Sequence, residues 1–167
     1  MANFDTTTIS LTRTFTRDAA TVWQALTSGI VEWWPKDFYI GTYDGIDPEG
    51  IELDPTPGGR FVEHWGGGNG LLWALVITSN APRLLTLVGD STPQFGGPNR
   101  AFTEFQLSDA EGGGTTLAFS HSPYGVISSE TSGTLESGWT QLLDHLVRWV
   151  ESGEHPERPA SVVERHG

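Results

Sequence analysis

The sequence predicts an α+β domain in which an antiparallel sheet is followed by one long C-terminal helix. Three observations carry this. Most of the chain consists of strand-length runs that alternate or are wholly apolar, separated by Gly-, Pro- and Asn-rich turns. Two short helical patterns follow the first strand. Leu135, Trp139, Leu142, Leu146 and Trp149 then fall at steps of three and four, and Leu143 and Val150 widen that stripe. Strands joined by hairpins, with helices at the ends, make an antiparallel α+β domain.

Thr7–Phe15 alternates, with Ile9, Leu11 and Phe15 on one face and threonines and serine on the other, as in a half-buried strand. Asp18 can N-cap a helix carrying Ala19, Val22, Trp23 and Leu26. Gly29 ends it, and Ile30–Trp34 reads as a second short helix stopped near Pro35. Trp33 and Trp34 are adjacent, so they are not expected to face inward equally. Residues 37–57 are rich in Gly, Pro and Asp, with one short strand at Gly50–Leu53.

Gly58–Trp65, Leu71–Thr78, Leu84–Val88, Ala101–Leu107 and Thr115–His121 read as further strands. Gly66–Gly70 reads as a hairpin turn, since a phosphate loop would need a Lys that is missing here. Pro123–Gly133 reads as a loop, and Thr134–Glu151 as the final helix. Residues 1–152 are expected to form a single domain, and 153–167, with two Pro and many charges, a mobile tail.

The chain has 167 residues, no Cys and a formal charge of -12, which excludes disulfides and thiolate metal sites. The nine Lys and Arg residues are scattered, so the surface repels nucleic-acid phosphates and anionic lipid. No nucleic-acid partner, membrane insertion, metal or cofactor is expected. The first residues lack the basic start and apolar run of a signal peptide, so a cytoplasmic location is expected. There is no Gly-x-Ser-x-Gly elbow, no His-Glu-x-x-His helix and no phosphate-loop Gly-Lys-Ser/Thr.

Seven short motifs follow one another along the chain: Ile9-x-Leu11-x-Arg13-x-Phe15, Val22-Trp23-x-Ala25-Leu26-Thr27, Trp33-Trp34-Pro35, Pro57-Gly58-Gly59-Arg60-Phe61, Ala81-Pro82-Arg83-Leu84-Leu85, Gly114-Thr115-Thr116-Leu117 and Gly138-Trp139-x-x-Leu142-Leu143. In this order, over about residues 7–151, they resemble the SRPBCC superfamily, with its START/Bet v 1 helix-grip fold. The closest branch is the one named for the activator of the 90-kDa heat-shock protein ATPase. Ala81-Pro82 stands where that family usually has Pro-Pro. The resemblance implies a curved seven-stranded antiparallel sheet wrapped around the C-terminal helix, two short helices after the first strand, and an apolar cavity between sheet and helix. It implies no single function, because the superfamily holds lipid carriers, polyketide cyclases and co-chaperones, and function has to be argued from the site.

Trp34, Phe38, Trp73, Phe105, Trp139 and Leu143 are the candidate cavity wall, and plain core packing is the competing reading for each. His121 follows Thr115, Leu117 and Phe119 at period two, so it shares their apolar face. It could bond a ligand carbonyl or move a proton, or simply bond backbone at a strand end. His64, a further ligand-binding candidate, and Glu63 take opposite faces of one strand, and either face could be the inner one. If Glu63 points inward, it is a buried carboxylate needing a partner such as Arg13 or Arg60. The preferred reading makes it a solvated surface charge. An acid–base pair of Glu63 and His121 is the sharpest enzymatic reading. Tyr39 and Tyr43 are candidates to gate the entrance.

The leading expectation is a protein that binds a small hydrophobic or aromatic molecule, a lipid included, in this cavity. The alternatives are a polyketide cyclase/aromatase-like or hydrolase-like enzyme using the same cavity, and a chaperone ATPase-modulating interaction protein. A homodimer and a chaperone partner stay open, although no stretch of sequence marks a surface for either.

Overall fold

The computed structural model describes residues 4–167. One antiparallel sheet contains β1 (Phe4–Thr6), β2 (Ile9–Phe15), β3 (Gly50–Leu53), β4 (Arg60–Gly66), β5 (Asn69–Asn80), β6 (Leu84–Ser91), β7 (Asn99–Asp109) and β8 (Thr115–Val126). The helices are α1 (Ala19–Leu26), α2 (Ile30–Trp33), α3 (Ile40–Tyr43), α4 (Ser129–Ser152) and α5 (Ala160–His166). Strands β3 to β8 form a meander, and the N-terminal segments return to pair with β8, giving the order β1-β8-β7-β6-β5-β4-β3 with β2 also on β8. Sequence predicts seven strands and the structure has eight. The difference lies at Thr7 and Thr8, where the edge strand breaks: β1 lies along Tyr124–Val126 and β2 along Thr115–His121.

Strand β8 alternates strictly between buried and less buried residues, with Thr115, Leu117, Phe119 and His121 on the inner face. Helix α4 covers that face through Leu142, Leu143, Leu146 and Val150, all buried. The Ser128 hydroxyl caps it by accepting from the Thr131 amide at 3.0 Å, and Gly153 ends it with φ 67°. The helix therefore starts five residues before Thr134. Pro123 does not end β8, because Ala101 of β7 faces it and the ladder runs on to Val126. The expected loop between them shrinks to Ile127 and Ser128.

Asp18 caps α1 as expected, accepting from the Thr21 amide at 2.9 Å. Trp33 and Trp34 are both buried, which corrects the expectation that they do not face inward equally. Each finds a different wall. Trp33 donates to the Ala25 carbonyl at 2.8 Å, while Trp34 packs edge-on against Phe61.

Residues 153–167, read from sequence as a tail, carry α5 and a chain of contacts. Val162 is 0% exposed. The Arg158 side chain, 6% exposed, pairs with Glu32 at 3.1 Å. The Lys36 amide donates to the Glu157 carbonyl, and Ser161 bonds Asp47. Prolines and charges concealed one buried valine and one partly buried ion pair. Truncation after Ser152 is expected to cost about 2 kcal/mol or more, read as a lower urea midpoint, since a fully buried Val alone contributes that order.

Candidate functional site

Two titratable groups interrupt the inner face of the sheet, and each lies among aromatic rings. The first is His121. Strand register sets it opposite Thr103 of β7 and Ile9 of β2. Its Nδ1 is 2.8 Å from the Thr103 hydroxyl, and the residue is 9% exposed. Burial lowers its pKa to about 4, so the imidazole is neutral at pH 7. The Trp139 ring of α4 lies 5.5 Å from the imidazole, 4.6 Å from Phe119 and 6.3 Å from Phe105.

The second is Glu63 of β4, which is 0% exposed. Its Oε1 accepts from the Gly41 amide at 2.8 Å and from the Trp65 indole at 2.7 Å. Its Oε2 accepts from the Ile40 amide at 2.9 Å and from the Trp73 indole at 3.3 Å. Two local irregularities build this cage. The β4–β5 register shifts at Phe61/Val62, where the extra residue on β5 is Trp73, and again at His64/Gly66, where Trp65 is extra on β4. A bulge re-aims a side chain. Here it lets consecutive Trp73 and Ala74 both turn inward. Trp73 also stacks on Phe61 at 6.0 Å and meets Trp34 at 5.9 Å.

The sequence candidates therefore separate. Phe105, His121 and Trp139 come together beside Phe119. Trp34 and Trp73 gather with Glu63. Phe38 connects the two groups: its carbonyl accepts from the Trp34 indole at 3.2 Å, and its ring lies against Gly138 of α4. Leu143 lies deep in the core. His64 points to the outer face, half exposed, and bonds Glu52 at 3.0 Å.

The preferred reading of Glu63 as a surface charge is overturned, because β4 parity turns it inward with Phe61. Neither Arg13 nor Arg60 neutralises it. Arg13 is committed to Asp144 at 3.0 Å, and Arg60 is exposed. The acid–base pair with His121 is overturned as well. Strands β7, β6 and β5 lie between the two residues, about 19 Å along the sheet at usual strand spacing.

Sequence reasoning missed Thr103, Phe61 and Trp65. Inner-face parity with Ala101, Phe105 and Leu107 marks Thr103, but the two bulges leave no trace in sequence. Tyr39, expected near an entrance, is wholly buried, and its hydroxyl has no partner among the described residues. Burial, then the Glu63 charge, raises its pKa. Tyr43 is exposed.

Two open recesses mark the surface. One, of about 550 Å³, lies beside Ile46, Trp65 and the Gly68–Gly70 turn. The other, of about 430 Å³, lies between α1 and α4 and includes Arg17, Gln24 and Trp149. Neither adjoins Trp139, where the rings touch one another. Among the described residues, no group of three or more His, Asp or Glu is placed to hold a metal, and no helix is long and apolar enough to cross a membrane.

Comparison with solved structures supports the fold. MLL2253 from Mesorhizobium loti superimposes with a TM-score of 0.61 at 18% identity, covering 96% of this chain and 99% of that one. The Aha1 dimer from Colwellia psychrerythraea gives 0.63 at 18% identity, covering 89% and 98%. DynU16, from the dynemicin biosynthetic locus, gives 0.64 at 18%, covering 88% of this chain and 48% of its own. No curated protein sequence matches. The family model described as activator of Hsp90 ATPase homolog 1-like protein matches residues 17–151, and the chain belongs to that family.

Proposed function

We propose that the protein binds a small hydrophobic or aromatic molecule between α4 and the inner face of the sheet, beside Trp139, with His121 at the polar end. The observation that carries this is the His121–Thr103 pair. Two polar side chains on a core face cost desolvation that an apolar pair would avoid. With Nδ1 on Thr103, the other ring nitrogen of the neutral imidazole can donate to or accept from a guest. Phe105, Phe119 and Trp139 supply an aromatic wall. The rings meet in the structure, so a guest enters by parting Trp139 from Phe119.

A titration with 1-aminoanthracene, followed by its emission and by tryptophan quenching, tests the site. Trp139→Ala is expected to weaken binding roughly tenfold, about 1.4 kcal/mol. His121→Ala is expected to change the preference between aromatic probes with and without a carbonyl. Parent-like binding in both variants would assign these residues to the core. With Glu63 caged far from His121, a cyclase- or hydrolase-type reaction would rest on His121 alone.

One observation favours a second reading, a protein-binding surface. On the outer face Leu72, Leu75, Ile77 and Phe102 are exposed, and Phe102 stacks on Tyr124 at 6.0 Å. Leu75, Val88 and Phe102 face one another across β5, β6 and β7. Self-association through this face is expected to give concentration-dependent sedimentation that Phe102→Asp abolishes. A parent that stays monomeric to high micromolar concentration would exclude the homodimer.

A further inference from the structure

We propose that residues Lys36–Ile46 are a strap gating the site beside Trp139, that Glu63 is its latch, and that Phe38 is the side chain that closes the entrance. This rests on the ligand-site reading above and adds how the site opens.

The strap consists of a three-residue 3-10 turn, Lys36–Phe38, and the four-residue α3. Segments this short do not hold themselves together in water. What fixes the middle of the strap is Glu63, through the amides of Ile40 and Gly41. The other two donors, the indoles of Trp65 and Trp73, belong to the sheet. The carboxylate thus has a rigid half, seated by two bulges, and a half that a loop can give up. A buried carboxylate with no cation beside it is a poor way to fill a core. It is an effective way to hold two backbone amides.

Three further details fit a latch. Gly41 seats only because it lacks a side chain: a Cβ there would lie 2.7 Å from the Trp65 indole nitrogen. Phe38 reaches α4 at Gly138, where a Cβ would meet its ring at 3.4 Å, one residue from Trp139. Closure also leaves the Tyr39 hydroxyl buried with no partner, so opening restores its hydration. Two strap amides on Glu63 favour the closed strap, and one orphan hydroxyl opposes it.

The latch is tested without ligand, by hydrogen exchange of strap peptides in E63Q and I40P. Ile40 is the first residue of α3, where proline is tolerated, so I40P removes one strap amide and leaves the carboxylate in place. Both variants are expected to exchange strap amides at least tenfold faster, with β7 and β8 protected as in the parent. The gate is tested by stopped-flow binding of 1-aminoanthracene. Association and dissociation rates are expected to rise together in E63Q and I40P. In F38A dissociation is expected to rise while strap exchange stays at the parent rate. If E63Q loses protection in β7 and β8, I40P decides. Parent-like strap exchange overturns the latch, and parent-like rates in all three variants overturn the gate. A parent that binds no probe overturns the ligand site, while the exchange result still decides the latch.

Discussion

Replacing Glu63 with Leu is expected to lower stability by about 4 kcal/mol, although the two side chains are of similar size. The substitution strands the amides of Ile40 and Gly41 and the indoles of Trp65 and Trp73. Each buried donor left without an acceptor costs about 1–3 kcal/mol. The two indoles are only partly buried, so water recovers part of that loss. The strap amides have no such relief while the strap stays closed. Urea unfolding followed by tryptophan fluorescence reads the effect. An E63L protein as stable as the parent would show that the carboxylate is a net burden on the fold, as some buried charges are.

The second large effect is the pH dependence that His121 contributes. Its pKa is 6.5 in the unfolded chain and about 4 in the fold, where burial opposes charge. Between those values the unfolded state holds a proton that the folded state refuses, so stability rises with pH across this window. The contribution is fully present above pH 6.5 and is lost as pH falls through 4. A shift of this size corresponds to about 3 kcal/mol. Asparagine keeps a polar group near Nδ1 and does not titrate. Stability curves of the parent and H121N are therefore expected to converge by about that amount between pH 7 and pH 4. Parallel curves would show that the folded imidazole accepts the proton readily.

Much of the fold was legible because period carries face. Leu117, Phe119 and His121 alternate, and the structure puts them on one inner face; Trp139 and Leu142 follow helical steps, and both meet the sheet side. The site was legible only where that rule held. His121 and Trp139 were found together because both obey it. The Glu63 cage was not, because β-bulges at Trp73 and Trp65 break the period that a sequence reader counts. Backbone amides, moreover, have no letter in a sequence. Arg13 looked like the natural partner for a buried carboxylate, but it is spent on Asp144 and the Thr140 carbonyl. The edge-strand count failed for a similar reason: two threonines interrupt the strand without announcing a turn.

The position of α5 has a consequence for how this protein avoids sticking to itself. The sheet ends at β3, whose outer side has no strand neighbour, and such an edge is a template for another chain. The last helix lies beside it. His166 approaches Gly50 at the start of β3, Arg165 pairs with Glu49 at 2.9 Å, and Ser161 bonds Asp47. The C-terminal residues thus act as a guard rail for an otherwise open sheet margin. An expression variant trimmed to the apparent domain end at residue 152 would expose that margin to strand-to-strand pairing with a second copy.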